Sequence, residues 1–162
     1  MKDIYFYAKQ FYIIIQVELS RARKKDILIL DDDFDIVSFI KILLQKIKLK
    51  VFAFTDPFLA LEHFKLNSKF YGLVLSDVRM PGMPGFEFIT KVKQIQPHVK
   101  VLLMSAFEVS DMEFSKALPI NIKVDGFIQK PISSQQLVKV VKDTLNRHNK
   151  DMKRSHFQNI LL

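Results

Sequence analysis

Four apolar residues run directly into three carboxylates in the stretch Ile27-Leu28-Ile29-Leu30-Asp31-Asp32-Asp33. A continuous apolar run of this length is typical of a strand that is buried on both faces, as strands in parallel sheets are. The acids follow at the carboxyl end of that strand, which is where open α/β sheets bind their ligands. The stretch therefore predicts a parallel sheet with a polar site at the end of its first strand.

The three adjacent carboxylates have two interpretations. They repel one another, so a nearby cation is needed to keep all of them ionised. A hard divalent ion with oxygen ligands, Mg²⁺, is the simplest such cation. Alternatively, the acids only begin a helix, because Asp is a favoured N-cap and complements the helix dipole. A cap accounts for one acid better than for three, so the metal interpretation is favoured.

Composition indicates one soluble globular domain. The chain has 162 residues, of which 49% are hydrophobic and 26% charged, values that are ordinary for such a domain. It has no cysteine, which excludes disulfides, thiolate metal sites and cysteine nucleophiles. A cysteine-free chain is compatible with a reducing compartment, and we expect a cytoplasmic protein.

The net charge of +8 lies mainly in the two ends of the chain. Residues 1–25 carry six Lys/Arg and two acids, residues 147–162 carry four and one, and residues 26–146 carry fifteen and fourteen. A basic groove across the body of the domain is therefore not indicated, and nucleic acid is not an expected partner. The basic ends are interpreted as solvated segments.

The N-terminal extension, residues 1–25, is apolar and then basic. Residues 4–19 would span only about 24 Å as a helix and are interrupted by charged residues, so a transmembrane span is not expected. No small-residue cleavage site follows, which argues against a signal peptide. Three interpretations remain: a helix packed on the domain or on a second copy in a homodimer, an interfacial membrane helix, or a disordered extension. The first is preferred.

From Asp26 onward, strand patterns alternate with helix patterns. Strands are predicted at 27–30, 51–54, 71–75, 99–104 and 124–129, and helices at 34–48, 57–66, 86–96, 108–118 and from about 134 to about 147. Asp33, Asp56 and Ser133 are predicted to cap three of these helices. Five strands alternating with five helices predict a parallel sheet with helices on both faces, joined by right-handed crossovers.

A chemical set follows the predicted strands. The first strand ends in Asp31 and Asp32, the third leads into Asp77, the fourth ends in Ser105 and the fifth in Lys130. In a parallel sheet these positions lie along one edge. Asp77 can act as a nucleophile towards a phosphoryl group. A metal ion and the lysine would then neutralise charge on the phosphoryl oxygens.

Residues 26–147 resemble the receiver domain of two-component response regulators. The resemblance rests on Ile-Leu-Ile-Leu-Asp-Asp-Asp at 27–33, Leu-Val-Leu-Ser-Asp-Val-Arg-Met-Pro-Gly-Met at 73–83, Leu-Leu-Met-Ser-Ala at 102–106 and Gly-Phe-Ile-Gln-Lys-Pro at 126–131. It implies a flavodoxin-like, doubly wound five-stranded sheet of order 2-1-3-4-5. It also implies that Asp77 accepts a phosphoryl group from a histidine kinase or a histidine phosphotransfer protein.

The resemblance also assigns the metal ligands. By position, Asp31 and Asp32 match the acidic pair of the family. Asp32 and Asp77 would bind Mg²⁺ directly, and Asp31 would bind it through water. The backbone carbonyl of Arg79 matches the remaining protein ligand.

The other implied roles fall on the last two strands. Ser105 matches the switch hydroxyl, Lys130 the lysine that contacts the phosphoryl group, and Phe127 the switch aromatic. The bond between Lys130 and Pro131 is expected to be cis. Phe127 stands where the family often has tyrosine, so it cannot hydrogen-bond through a phenol. The segment from Ser105 to Lys130 is about three residues longer than usual, with the surplus in residues 119–123.

Residues 148–162 form a short basic tail, too short for an output domain. The chain is therefore expected to signal through a downstream protein or to pass the phosphoryl group on, and to catalyse at most its own phosphorylation and dephosphorylation. Two alternatives stay open. A metal-dependent phosphatase would tend to have an acid where this chain has Arg79. A receiver-like interaction module that is never phosphorylated would be free to lose the chemical positions, all of which are present.

Overall fold

The computed structural model describes residues 7, 9–12, 26–106, 119 and 122–158, with the backbone alone for 148–158. Its elements are β1 Asp26–Leu30, α1 Phe34–Lys46, β2 Val51–Phe54, α2 Pro57–Asn67, a 3₁₀ turn Ser68–Phe70, β3 Tyr71–Asp77, α3 Gly85–Ile95, β4 Lys100–Ser105, β5 Gly126–Gln129 and α4 Ser134–Gln158. Strands and helices alternate as the sequence predicts, apart from the predicted helix 108–118, which lies outside the described residues.

The strands form one parallel sheet in the order β2-β1-β3-β4-β5. This confirms the predicted fold class and strand order. The order reverses direction at β1 and β3, which is the place where open α/β sheets form a crevice at the carboxyl ends of their strands.

The sheet is covered on both faces. Successive side chains of each strand point to opposite faces, where they pack in two apolar layers. Ile27 and Ile29 pack in one layer, while Leu28 and Leu30 pack in the other. Helices α1 and α4 cover the first layer with Val37, Ile40, Leu44, Leu137 and Val141. Helices α2 and α3 cover the second with Ala60, Leu61, Phe64, Phe88, Ile89 and Val92. The buried residues of α1 follow the spacing of three and four residues that is typical of one face of a helix.

The strand register brings the predicted site to one edge. Leu30 is aligned with Ser76, Asp77 with Met104, and Ser105 with Gln129. The residues that follow β1, β3, β4 and β5 therefore emerge at the same edge of the sheet.

Several element boundaries differ from the prediction, most of them by only one or two residues. Helix α4 continues to Gln158 rather than ending near Arg147, because no glycine or proline interrupts the chain there. Strand β5 begins at Gly126 rather than residue 124. The preceding residue, Asp125, pairs with Val101 through its backbone N–H, at 2.8 Å, and through its carboxylate, which accepts from Val101 N at 2.9 Å.

The N-terminal extension is described only at residues 7 and 9–12, which are helical. The side chains of Tyr7, Phe11 and Tyr12 are exposed there. The predictions of docking, dimerisation or membrane contact for residues 4–19 fall mostly outside the described residues. In the part of the chain that is described, none of the helices combines the length and the apolar character needed to span a membrane.

Candidate functional site

Asp31 follows β1 at the carboxyl edge of the sheet and is almost fully buried, with 1% of its surface exposed. Its Oδ1 accepts a hydrogen bond from the Asp33 backbone N–H at 3.1 Å. Its Oδ2 accepts one from Lys130 Nζ at 2.6 Å. The carboxylate is therefore fixed from two sides. Asp33 in turn caps α1, accepting from the backbone N–H groups of residues 35 and 36.

Asp77 is the last residue of β3 and is also buried, with 6% exposed. Its Oδ2 accepts a hydrogen bond from the Arg79 backbone N–H at 2.7 Å. Its Oδ1 accepts a short hydrogen bond from Lys130 Nζ. Both oxygens are thus held by donors, and the carboxylate has a defined orientation at the edge of the sheet.

Lys130 bridges the two buried carboxylates. It follows β5, its backbone N–H donates to the Ser105 carbonyl at 2.7 Å, and the Lys130–Pro131 bond is cis as expected. Its ammonium contacts both Asp31 and Asp77. The chain itself therefore supplies a cation that compensates Asp31 and Asp77, in addition to the metal ion that the acidic run predicts.

The pKa directions follow from this arrangement. Burial raises the pKa of Asp31, against the opposing effects of the hydrogen bonds from Lys130 and the Asp33 backbone. Burial alone would lower the pKa of Lys130, but its hydrogen bonds and charge interactions with Asp31 and Asp77 outweigh burial and raise it. The ammonium is therefore charged at neutral pH, as the role predicted for Lys130 requires.

Asp32 and Arg79 lie at the rim with exposed side chains. The structure thus connects Asp31 and Asp77 through Lys130. Asp32 lies at the same edge because it follows Asp31 in the chain, but its side chain is exposed. No group of three or more acidic or histidine side chains that could hold a metal ion occurs among the described residues. A metal ion here would need backbone carbonyl and water ligands as well, and the Arg79 carbonyl stays a predicted ligand.

Ser105 and Phe127 occupy the two strands on the far side of Asp77. Ser105 ends β4 and is buried, with 6% exposed, whereas the Phe127 side chain on β5 is 46% exposed. Phe127 is aligned with Leu103, two residues before Ser105. The hydroxyl therefore lies one strand away from Asp77, and the aromatic ring lies on the edge strand of the sheet.

One site residue was missed by the sequence analysis. Gly85 begins α3, and its backbone N–H donates to the Val78 carbonyl at 2.9 Å. A Cβ at Gly85 would lie 2.0 Å from the carbonyl oxygen of Asp77. The start of α3 therefore packs directly on the backbone of Asp77, and only glycine permits that approach. The signal in the sequence was a glycine directly before the predicted helix 86–96.

Several known proteins are similar to this chain in sequence. The sequence model of the response regulator receiver domain family matches residues 27–142. The chain is 29% identical over 131 residues to the phosphoglycerate transport system transcriptional regulatory protein PgtA of Salmonella typhimurium, covering 81% of this chain and 30% of that protein. It is 28% identical over 123 residues to the alkaline phosphatase synthesis transcriptional regulatory protein PhoP of Bacillus subtilis, covering 76% of this chain and 49% of that protein.

A solved structure gives the same result for the fold. The CheY-like response regulator receiver domain protein from Methanospirillum hungatei superimposes with a TM-score of 0.69 at 26% identity, covering 79% of this chain and 98% of that chain. The chain spans less than two thirds of the two curated relatives, but it spans nearly the whole of this receiver domain. Because the family model matches residues 27–142 and the sheet superimposes on a solved receiver domain, the chain belongs to the response regulator receiver domain family.

Proposed function

We propose that this domain is a cytoplasmic phosphoacceptor of a two-component phosphorelay, which takes a phosphoryl group from a phosphohistidine onto Asp77. The observation that carries the proposal is the pairing of Lys130 with both Asp31 and Asp77 at the carboxyl edge of the sheet. This pairing places a permanent cation beside a buried carboxylate whose orientation is fixed.

The transfer is a nucleophilic substitution at phosphorus. An oxygen of Asp77 forms a bond to phosphorus while the phosphorus–nitrogen bond of the donor breaks, and the imidazole nitrogen leaves with the bonding pair. Lys130 neutralises the negative charge on the phosphoryl oxygens. The Arg79 backbone N–H fixes the carboxylate for attack, because it already donates to Asp77 Oδ2 at 2.7 Å.

The donor set fits Mg²⁺, since it consists of carboxylate and carbonyl oxygens alone. Asp32 and Asp77 would bind the ion directly, Asp31 through water, and the Arg79 carbonyl would complete the protein ligands. When bound, the ion supplies positive charge that stabilises the phosphoryl oxygens during transfer.

The phosphorylated domain would signal by a change in its protein contacts. The Ser105 hydroxyl donates a hydrogen bond to the attached phosphoryl group, and Phe127 on the neighbouring strand responds to the movement of Ser105. The donor would be a histidine kinase or a histidine phosphotransfer protein, and the receiver of the signal another protein. No catalytic activity beyond self-phosphorylation and self-dephosphorylation is proposed.

Incubation with acetyl phosphate and Mg²⁺, followed by intact mass spectrometry, tests the proposal. We expect one phosphoryl group on the wild-type chain and none on Asp77→Asn. An undiminished adduct on Asp77→Asn, or none on the wild type, would contradict the proposal and favour a module that is never phosphorylated. An Asp32→Ala variant should bind Mg²⁺ much more weakly in a calorimetric titration, and unchanged binding would remove Asp32 from the metal ligands.

A further inference from the structure

Phe58 is an aromatic residue near the candidate site that the burial of the core does not explain. It is the second residue of α2, and its side chain is 54% exposed. The buried face of this helix is supplied by Pro57, Ala60, Leu61 and Phe64. The backbone of Phe58 is nevertheless fixed, because its N–H donates to the N-cap carboxylate of Asp56 at 2.7 Å.

The ring of Phe58 contacts the loop that follows the phosphoacceptor. The nearest atom to the position of a Cβ at Gly82 is Phe58 Cε2, at 3.1 Å, and Phe58 Cζ follows at 3.8 Å. No other side chain of the described residues comes within 4 Å of that position, neighbours in the chain aside. Gly82 has a φ of +78°, a conformation that side-chain-bearing residues rarely adopt.

The same loop orients Asp77. It leaves β3 at Asp77, its Arg79 N–H holds Asp77 Oδ2, and it ends where Gly85 N–H bonds the Val78 carbonyl. Met80 and Met83, on either side of the loop apex, are buried in the core. Gly82 itself is exposed, and the ring of Phe58 packs against the side of Gly82 on which a Cβ would lie. Because the loop is short, a displacement of Gly82 would also displace the Arg79 N–H, which orients the Asp77 carboxylate.

We propose that Phe58 is a positioning residue for phosphoryl transfer to Asp77, acting through its contact with Gly82. The ring keeps the loop in the conformation in which Arg79 N–H holds the carboxylate for attack. The reaction with acetyl phosphate shows the effect: an Asp77 oxygen bonds to phosphorus, the bond between phosphorus and the acetate oxygen breaks, and acetate leaves with the bonding pair. This inference rests on the proposed function.

The experiment compares the rate of Asp77 phosphorylation by acetyl phosphate and Mg²⁺ in matched variants. Phe58→Ala is expected to be slower than the wild type by about tenfold, because a misplacement of roughly 1 Å can cost about 100-fold and we expect a smaller shift here. Phe58→Tyr keeps the ring and should restore the wild-type rate. Leu59→Ala is the control: its side chain is on the same helix and more exposed, at 64%, and its rate should stay within about twofold.

A double-mutant cycle separates positioning from a general loss of structure. Gly82→Ala places a methyl group against the ring and strains the backbone, whereas in the Phe58→Ala background only the strain remains. The rate loss caused by Gly82→Ala should therefore be smaller in that background, by at least about threefold. Thermal unfolding of each variant establishes that it is folded, and Phe58→Leu replaces Phe58→Ala in the cycle if the latter is not.

Additive rate effects, or equal rates for Phe58→Ala and the wild type, would overturn the positioning role and leave the proposed function intact. A wild-type chain that takes no phosphoryl group would overturn the proposed function, and the inference with it.

Discussion

The close packing of Gly85 on Asp77 predicts that Gly85→Ala disrupts the site. Gly85 is the first residue of α3, and alanine normally stabilises a helix relative to glycine by roughly 0.5–1 kcal/mol. Helix propensity alone therefore predicts a more stable variant. The structure predicts the opposite, because the new methyl carbon would lie 2.0 Å from the Asp77 carbonyl oxygen and 3.0 Å from Val78 Cα.

The size of the effect follows from this distance. Cβ contacts below 3.0 Å essentially do not occur, so the start of α3 and the end of β3 would have to separate by roughly 1 Å, and both partners are backbone. Overpacking of this kind costs about 3 kcal/mol. For a domain of this size, that loss lowers the Tm by roughly 6–12 °C. A displacement of Asp77 by roughly 1 Å should slow its proposed phosphorylation by about 100-fold.

Thermal unfolding and the acetyl phosphate reaction measure the two effects. Gly126→Ala is the matched control, because its new Cβ would meet only the end of the Leu102 side chain, at 3.1 Å. A shift of that side-chain end by a few tenths of an ångström relieves the contact, so we expect a change of less than about 1 kcal/mol. A Gly85→Ala variant that unfolds at or above the wild-type temperature and is phosphorylated at the wild-type rate would refute the reasoning.

Three further predictions concern stability. Asp56→Ala removes the carboxylate that accepts from Phe58 N and Leu59 N, and should lower the free energy of unfolding by about 1 kcal/mol in a urea titration; no change would show that the cap is dispensable. Asp125→Ala removes the acceptor of Val101 N and should cost about 2 kcal/mol, whereas the exposed Asp143→Ala should be neutral. Burial, and then the charge of Asp26, raise the pKa of Tyr71, so the folded state keeps a proton that the unfolded state loses above about pH 10. The free energy of unfolding of the wild type should therefore fall above that pH, and Tyr71→Phe should abolish the part of this fall that is due to Tyr71. An identical pH dependence in both proteins would show that Tyr71 is not its cause.

The fold could be predicted from sequence because its signals are local. The apolar run that leads into Asp31 specifies a strand buried on both faces, and the alternation of strands with helices specifies a parallel sheet. The carboxyl ends of parallel strands share one edge, which suffices to bring Asp31, Asp77, Ser105 and Lys130 to the same edge without knowledge of the loops. The prediction of the sheet and of this edge required no knowledge of distances between residues that are far apart in the chain.

The remaining features of the site depend on contacts between residues that are far apart in the sequence, and the pattern of residues along the chain does not specify these contacts. Lys130 pairs with Asp31, 99 residues away, and with Asp77, 53 residues away, so the cation beside these acids could not be identified from the acidic run alone. The approach of Gly85 to Asp77 and the contact between Phe58 and Gly82 depend on the course of one loop. The end of α4 at Gln158 was missed because Arg147 closes the apolar pattern, while the helix itself continues.

The most direct test of the account is to locate the phosphoryl group within the chain. Reduction with borohydride after the acetyl phosphate reaction converts an aspartyl phosphate to homoserine, which peptide mass spectrometry can assign to a position. The account predicts homoserine at position 77 and at no other acid. Homoserine at Asp31 or Asp32, or unmodified Asp77 in a fully folded chain, would contradict it.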